Sequence, residues 1–328
     1  MADQFVHLHL HSEFSLLDGG NRITRLVNRV KELGMDSVAV TDHGNMFGAA
    51  AFYKAAKDAG IKPILGIEAY VAPDITGPSD RTNKEFTRVS DGGFHLVLLA
   101  ENETGWRNLL KLSSDAYING FYFKPRMDKG TLTQWADGII AINGHLGSSI
   151  AHHLTQFVNS NDERHYQRAI EEAKWHAETF GTNDQGEPCF YLELQQHDVV
   201  EQQRINPLIR KMAEQLDLPL VGDNDAHFLL EEDWDMHDTL CCISMGKLKT
   251  DEGRLKYSRD LYVKSAEQMQ ALFADCPEAI ENTRKIADRC NVDLDFTQNH
   301  APVVKIVCDG LGPKQSDDLP VDAEGALK

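Results

Sequence analysis

The chain has 328 residues, of which 41% are hydrophobic and 26% charged, as in a soluble globular protein with room for one large α/β domain or two smaller ones. No apolar run is long enough to cross a bilayer, the N-terminus has no signal segment, and the six cysteines show no CxxC spacing, so we expect a cytoplasmic protein with reduced thiols. The net charge of −18 argues against tight, autonomous binding of nucleic acid through its phosphates, but it leaves phosphate chemistry in a locally positive pocket open.

Strand-like and helix-like patterns alternate along most of the chain. The strand-like apolar runs are 5–11, 37–43, 62–72, 95–100, 138–145, 189–195 and 218–227. Helical patterns occupy 23–33, 46–59, 102–118, 148–180 and 200–216. Seven strands alternating with helices predict a parallel sheet. Because chemistry-bearing residues recur at nearly every strand end, a closed β/α barrel over 1–231 fits better than an open sheet.

Three segments depart from this alternation. Residues 74–93 are polar and rich in turn formers, which predicts a mobile loop beside the site. Residues 232–298 have a mostly helical pattern and form a predicted helical extension. From residue 299 the composition turns to Gly, Pro and Asp, which predicts a disordered tail over 299–328.

Six histidines and three acidic residues stand at or near the ends of these strand-like runs. They are His9, His11, Asp18, His43, Glu68, His95, His145, Asp225 and His227. Imidazole nitrogen and carboxylate oxygen are donors that suit zinc, manganese or iron, and nine of them exceed what one ion can hold. The pattern therefore predicts a polynuclear metal site at one rim of the barrel.

Taken singly, each of these residues has a plainer interpretation. The pairs His9-x-His11 and Asp225-x-His227 have the spacing that puts two side chains on one strand face, but strand histidines are often ordinary core or surface residues. Asp18 precedes a glycine and suits a turn, and Glu68 interrupts an apolar strand, where a surface position is the alternative to a cation partner. Their joint placement favours the metal site.

Several neighbouring residues receive secondary roles. Asp42 stands beside His43 and is expected to orient its other ring nitrogen. Lys124 and Arg126, in FYFKPRMD, are candidate phosphate contacts, with a solvated loop as the equal alternative. The remaining histidines of helical or polar stretches are predicted to lie on the surface: His152, His153, His165, His176, His197 and His237.

Long segments of the chain resemble the PHP (polymerase and histidinol phosphatase) domain, in the form found at the N-terminus of bacterial DNA polymerase III alpha subunits. The resemblance is carried by FVHLHLHSEFSLLDGG, AVTDHGNMFGAAAFYKAAKDAGIKPILGIEAYVA, HLVLLAENETGWRNLLKLSSDAYINGFYFKPRMD and NDAHF, and it covers roughly 1–298. It implies a distorted seven-stranded β/α barrel with three divalent metal ions, Zn²⁺ favoured and Mn²⁺ or Fe compatible. Matched by motif, one ion takes His9, His11, Glu68 and Asp225; a second shares Glu68 with His95 and His145; the third takes Asp18, His43 and His227.

The resemblance implies a metal-dependent phosphoesterase in which Glu68 and Asp225 are essential and a hydroxide bridging two ions attacks phosphorus. The substrate alternatives are a DNA 3′ end, as in a 3′–5′ exonuclease, and small mono-, di- or triesters. The competing hypothesis is a non-catalytic, metal-stabilised scaffold that holds replication proteins in a polymerase; a histidinol-phosphatase-like monoesterase fits the flanking motifs less well. The segment after residue 298 does not resemble the polymerase continuation, so we expect a free-standing relative or a fragment unable to polymerise DNA.

Overall fold

The protein is an α/β fold, described here from a computed structural model that covers residues 5–16, 18–73 and 93–297. The predicted loop at 74–93, apart from Gly93, and the predicted tail at 299–328 lie outside the described residues. Residues up to Asp293 form one compact unit, and a second unit begins at Leu294. None of the helices within the described ranges is long and apolar enough to span a membrane.

Eight strands and ten α-helices make up the described part of the chain. The strands are β1 (Ser37–Val40), β2 (Lys62–Val71), β3 (Phe94–Ala100), β4 (Phe121–Tyr122), β5 (Lys124–Met127), β6 (Ile139–Asn143), β7 (Phe190–Gln195) and β8 (Leu220–Asp223). The helices are α1 (Ile23–Glu32), α2 (Ala49–Ala59), α3 (Glu103–Asn119), α4 (Lys129–Gln134), α5 (Ser149–Ser160), α6 (Glu163–Phe180), α7 (Val200–Leu216), α8 (Trp234–Met245), α9 (Ala266–Leu272) and α10 (Pro277–Arg289).

The sheet is mixed rather than parallel, which corrects the sequence prediction. Its order is β4-β5-β2-β3-β6-β7-β8, and β1 also pairs in parallel with the first half of β2. Strand β3 is antiparallel to both of its neighbours, β2 and β6. The beginning of β3 therefore lies at the same edge of the sheet as the C-terminal ends of β2 and β6.

The segment 5–11 joins the two ends of the curled sheet, although it is not a regular strand. The carbonyl oxygen of His7 accepts from the Ala39 amide on the β1 side. On the other side, the His11 amide donates to the carbonyl oxygen of Ala226, just beyond β8. The predicted first strand is therefore not a regular strand, and backbone hydrogen bonds hold it between β1 and the residues after β8.

Side chains replace the missing ladder bonds of this segment. Asp223, the last residue of β8, accepts hydrogen bonds from the amides of Leu8 (2.7 Å) and His9 (3.1 Å) through the same carboxylate oxygen. The Leu10 amide donates to Thr41 Oγ1 at 3.0 Å. All of these groups are buried, so each bond satisfies an amide that has no access to water.

The extension predicted to be mostly helical over 232–298 is helical only in part, and the helical pattern over 148–180 consists of two helices. Helices α8, α9 and α10 lie within 232–298, but residues 246–265 between α8 and α9 contain no helix. The pattern over 148–180 divides into α5 and α6 at Asn161, which adopts a left-handed conformation (φ 54°) that ends α5.

Replacing Asp223 with alanine tests how much its carboxylate stabilises the sheet closure. The variant leaves the buried amides of Leu8 and His9 without acceptors, so we expect the free energy of unfolding to fall by about 2–5 kcal/mol. Thermal and chemical denaturation followed by circular dichroism measure this loss. Asp58→Ala, on the exposed face of α2, is the control and should stay within about 0.5 kcal/mol of the wild type. Equal stability of the two variants would contradict the role of Asp223.

Candidate metal centre

The nine predicted donors come together at one edge of the sheet. Glu68 projects from within β2, His95 is the second residue of β3, and His145 follows β6 by two residues. His43 follows β1 and forms an isolated parallel bridge with Glu68. The reversed direction of β3 explains why a histidine at the start of a strand reaches the same edge as residues at the ends of others. The remaining donors lie on the segment 5–18 and after β8: His9, His11, Asp18, Asp225 and His227.

Glu68 lies at the centre of this donor cluster and is 2% exposed. Its Oε1 is 2.9 Å from His145 Nε2, 3.0 Å from His95 Nδ1 and 3.3 Å from His9 Nε2. Its Oε2 contacts His43 Nδ1. One carboxylate therefore faces imidazoles from four separate segments of the chain, the arrangement expected of a bridging ligand.

Asp225 forms a second centre of contact. Its Oδ1 is 3.0 Å from His11 Nε2 and 3.3 Å from His9 Nε2. The residue adopts a left-handed backbone conformation (φ 49°), which non-glycine residues rarely occupy and which costs about 1–3 kcal/mol. Its carbonyl oxygen is 2.8 Å from His227 Nδ1, so that imidazole presents Nε2 to the cluster.

Asp18 and His43 form the outer part of the cluster. Asp18 Oδ2 is 3.2 Å from His43 Nε2 and accepts a hydrogen bond from the Tyr257 hydroxyl at 3.0 Å. The backbone carbonyl of Asp18 lies 2.7 Å from His237 Nε2. Tyr257 and His237 thus hold the carboxylate and the backbone carbonyl of Asp18.

Burial and mutual charge set the protonation of the metal-free cluster. Burial alone would raise the pKa of Glu68, but the neighbouring charges of His95 and His43 hold it well below its usual value. Burial alone would lower the pKa of His145, but the close carboxylates of Glu193 and Glu68 raise it to about 9. Burial lowers the pKa of His11 to about 3, with a contribution from the charge of His43. Protons therefore balance part of the carboxylate charge when no metal is bound.

The donor set fits divalent metal ions. Each of the nine residues has at least one buried side-chain nitrogen or oxygen that finds no hydrogen-bond partner among the described residues. Buried polar atoms are rarely left in this state, and lone pairs converging on one space are satisfied by a cation. The donors form four overlapping groups of three, and within each group the ligand atoms lie within 4.8 Å of one another. The groups are His9, His11 and Asp225; His9, Glu68 and His145; His43, Glu68 and His95; and His11, His43 and His227.

Comparison with known proteins assigns the family. The family model of the PHP domain matches residues 7–197, which contain seven of the nine donors. The chain belongs to the PHP domain family. This confirms the resemblance predicted from the sequence motifs.

Curated relatives of this PHP domain are named DNA polymerase III subunit alpha. The relative from Helicobacter pylori is 44% identical over 300 residues, covering 89% of this chain and 23% of the relative. That from Borreliella burgdorferi is 42% identical over 292 residues, covering 88% and 24%, and that from Thermus aquaticus 38% over 298 residues, covering 89% and 23%. The chain thus spans about a quarter of the length of these relatives.

Overlap with solved structures is weak. A two-domain protein from Bacteroides vulgatus containing a predicted PHP-like metal-dependent phosphoesterase aligns at 12% identity with a TM-score of 0.38, covering 86% of this chain and 63% of that one.

Two clefts lead to the donor cluster. Of the two predicted phosphate contacts, Lys124 lines one of these clefts and Arg126 lines neither. The larger cleft, about 670 Å³, is lined by Asp18 and His43 together with Lys124, whose Nζ lies 3.1 Å from the Tyr70 hydroxyl. Arg126 is fully buried, its guanidinium lies 5.6 Å from the Tyr122 ring, and it is not among the described residues lining either cleft. The structure therefore brings Lys124 to the donors and leaves Arg126 inside the fold.

The smaller cleft, about 290 Å³, reaches the other side of the donor cluster. It is lined by Glu68, His145 and Asp225 and also by Lys256. Lys256 is an exposed residue of the helix-free stretch 246–265. The sequence of this stretch has no apolar periodicity, so it predicts no helix or strand that would place Lys256 at the site. The sequence analysis therefore gave this lysine no role.

Glu193 is the main residue of the centre that sequence reasoning missed. This fully buried glutamate of β7 places Oε1 2.9 Å from His9 Nδ1 and Oε2 3.4 Å from His145 Nδ1. Burial alone would raise its pKa, but the charge of His9 and the hydrogen bonds with both histidines lower it to about 2. The signal was present, because Glu193 interrupts an apolar strand as Glu68 does.

Asp42 has a different function from the predicted one. Its carboxylate accepts hydrogen bonds from the Ser12 amide and hydroxyl (both 2.7 Å) and from the Ser15 hydroxyl (2.8 Å). Both ring nitrogens of His43 instead face Asp18 and Glu68. Asp42 therefore orders the loop after the first donors, where Ser15 Oγ lies 3.0 Å from His11 Nδ1.

Three histidines predicted to lie on the surface are buried. His176 packs in the core against the Phe190 ring, at a centroid distance of 5.2 Å. His197 contacts the carbonyl oxygen of Asn224, and His237 contacts that of Asp18. Their helical or polar sequence neighbourhoods gave no indication of burial. The other three, His152, His153 and His165, are partly exposed.

Glu193→Gln tests whether the outer carboxylate positions the two imidazoles. Glutamine keeps the shape but removes the charge that holds the Nδ1 protons of His9 and His145, so we expect Mn²⁺ affinity to fall about 10- to 100-fold. Isothermal titration of the metal-free protein with Mn²⁺ measures this. Glu201→Gln, an exposed change on α7, is the control and should bind as the wild type does. Unchanged affinity in Glu193→Gln would remove this role.

Metal binding should also release protons. The pKa of His145 is raised to about 9 and those of His9 and His43 are raised as well, so these imidazoles carry protons at neutral pH in the metal-free protein. A metal needs the neutral imidazole, so affinity for Mn²⁺ should rise with pH up to about 9. Titrations at pH 7.5 in two buffers of different ionisation enthalpy give the number of protons released. A value of zero would contradict the charge balance described above.

Proposed function

We propose that this PHP domain is a metal-dependent phosphoesterase with a trinuclear centre. The observation that supports the proposal is the convergence of six imidazoles and three carboxylates, each with a buried and unsatisfied donor atom, at the mouth of two clefts. We further propose that the curled sheet corresponds to the family's seven-stranded barrel and that residues 1–298 form the domain, with a barrel over 1–231 and an extension over 232–298.

Three sets of ligands follow from the motifs. Contacts of Asp225 with His9 and His11, of Glu68 with His95 and His145, and of Asp18 with His43 support parts of these sets. One ion would be held by His9, His11, Glu68 and Asp225, a second by Glu68, His95 and His145, and a third by Asp18, His43 and His227. The donors are nitrogen and oxygen only, which suits Zn²⁺ and also Mn²⁺ or Fe. When bound, such ions acidify water toward neutral pH and neutralise phosphoryl oxygens.

The chain's own residues supply binding, orientation and charge. Glu68 and Asp225 contact imidazoles from distant segments of the chain and hold them close together. Glu193 contacts the Nδ1 atoms of His9 and His145, on the side of each ring away from Glu68. Lys124 lies at the larger cleft, where its ammonium is placed to contact a phosphoryl oxygen of a substrate that reaches His43. The buried Arg126 is not assigned this role.

The proposed substrates are phosphodiesters, including the 3′ end of a nucleic acid, with small mono-, di- and triesters as alternatives. The similarity to replicative polymerase subunits supports a nucleic-acid end and a role beside replication proteins. The acidic chain supports small substrates, because a net charge of −18 disfavours long phosphate backbones.

A second candidate is a metal-stabilised scaffold without catalysis. The observation that favours it is the wide sequence separation of the donors, since His9, Glu68, His145 and Asp225 connect four segments whose joining would stabilise any fold. This candidate predicts that a chelator lowers the melting temperature while no phosphoester is hydrolysed. The phosphoesterase predicts that both properties depend on metal.

Glu68→Gln separates these candidates. Loss of the central carboxylate should lower hydrolysis of bis(4-nitrophenyl) phosphate in Mn²⁺ at least about 1000-fold, because its oxygen contacts donors of every proposed set. Glu278→Gln at the start of α10 is the control and should retain activity. A wild-type protein that binds metal but hydrolyses no ester would support the scaffold, and an active Glu68→Gln variant would refute the proposed centre.

A further inference from the structure

A row of exposed aromatic rings forms one wall of the larger cleft. Phe47 is 61% exposed, Phe121 51% and Tyr117 36%. The Phe47 and Tyr117 ring centroids are 5.7 Å apart, and those of Tyr117 and Phe121 are 5.9 Å apart with nearly parallel planes. Single exposed apolar side chains are common on protein surfaces, but a contiguous group at a cleft indicates a binding surface.

These rings come from three different elements. Phe47 lies just before α2, Tyr117 lies in the last turn of α3, and Phe121 belongs to β4. A fourth ring, Phe123, is 75% exposed at the turn between β4 and β5 and adopts a left-handed backbone conformation (φ 59°). A bulky residue seldom adopts this conformation in a turn, where glycine or asparagine is favoured. The fold thus maintains an exposed ring at an unfavourable position.

The aromatic wall is continuous with the donor cluster. The same cleft is lined by Asp18 and His43, and by Lys124 beside Tyr70. The Tyr70 ring itself packs against the His95 ring, at a centroid distance of 5.0 Å. A molecule that reaches the donors through this cleft can extend its next groups along the aromatic wall.

We propose that Phe47, Tyr117 and Phe121 form a stacking platform for unpaired nucleobases, so that the substrate of this centre is a single-stranded nucleic acid segment. This inference rests on the proposed phosphoesterase function and assigns its substrate class. Every base has a π-face, so a row of rings binds a strand without regard to sequence. A duplex cannot use the platform, because its bases are already stacked and paired.

The charge of the chain favours stacking as the main source of affinity. Lys124 is the one lysine or arginine among the residues that line the larger cleft in the described part of the chain, and the net charge is −18. Few phosphate contacts predict a weak dependence of binding on salt. The alternative occupant of this wall is a polypeptide partner. The two are distinguished by whether nucleobases tighten the binding of an oligonucleotide, which the experiment measures.

The experiment measures binding of the full chain, in chelator, to fluorescein-labelled oligothymidylate of eight nucleotides and to an abasic oligomer of equal length. We expect the bases to tighten binding at least about tenfold. Phe47→Leu and Phe121→Leu keep an apolar side chain but lose the ring, so each should remove most of this preference. Ile118→Ala is the control: Ile118 is 78% exposed on α3 but does not line the cleft, so the preference should remain. An oligouridylate arm tells whether RNA is bound as DNA is.

Equal binding of the base-containing and abasic oligomers, or full preference in both leucine variants, would overturn the platform and assign the wall to a polypeptide partner. Thermal melting of each variant should match the wild type, because the substituted rings are exposed. The binding assay needs no metal, so its result is independent of the ester hydrolysis described above. Base-dependent binding without hydrolysis would refute the phosphoesterase and retain the platform.

Discussion

The buried carboxylate of Glu68, surrounded by imidazoles, is the interaction on which the rest of the structure depends. Its two oxygens contact nitrogens of His9, His11, His43, His95 and His145, which belong to four separate segments. A buried charge is tolerated only when it is paired, and these partners carry unsatisfied lone pairs of their own. Protons on the imidazoles balance the carboxylate charge only in part.

Several local features are explained by this requirement. Asp225 holds a left-handed conformation that directs its carboxylate toward His9 and His11. Gly144 has φ 153°, and a Cβ there would lie 2.4 Å from the carbonyl oxygen of Glu193, so only glycine allows the chain to pass so close to the backbone of this residue. Strain and close packing of this kind concentrate at functional sites, where the surrounding structure holds them in place.

Sequence reasoning found the donors because each stands in an unusual position, at or near the end of an apolar run. It missed Glu193, although this glutamate interrupts an apolar strand as Glu68 does, because its partners are ring nitrogens of distant segments that no local sequence pattern reveals. It also could not tell that Lys124 reaches the cleft whereas Arg126 is buried. Both residues belong to the same short strand, and only the surrounding fold determines which of them is exposed. The direction of β3 was wrong because the local pattern of a strand is the same in either direction. The segment 5–11 alternates like a strand, but its amides bond to side chains of Asp223 and Thr41, and such tertiary partners have no local signature.

X-ray absorption spectroscopy of the protein loaded with Zn²⁺ or Mn²⁺ tests the central claim most directly. The account predicts a coordination shell of nitrogen and oxygen only, with multiple scattering from several imidazoles. Sulfur from the buried cysteines in that shell, or metal bound without imidazole, would contradict it.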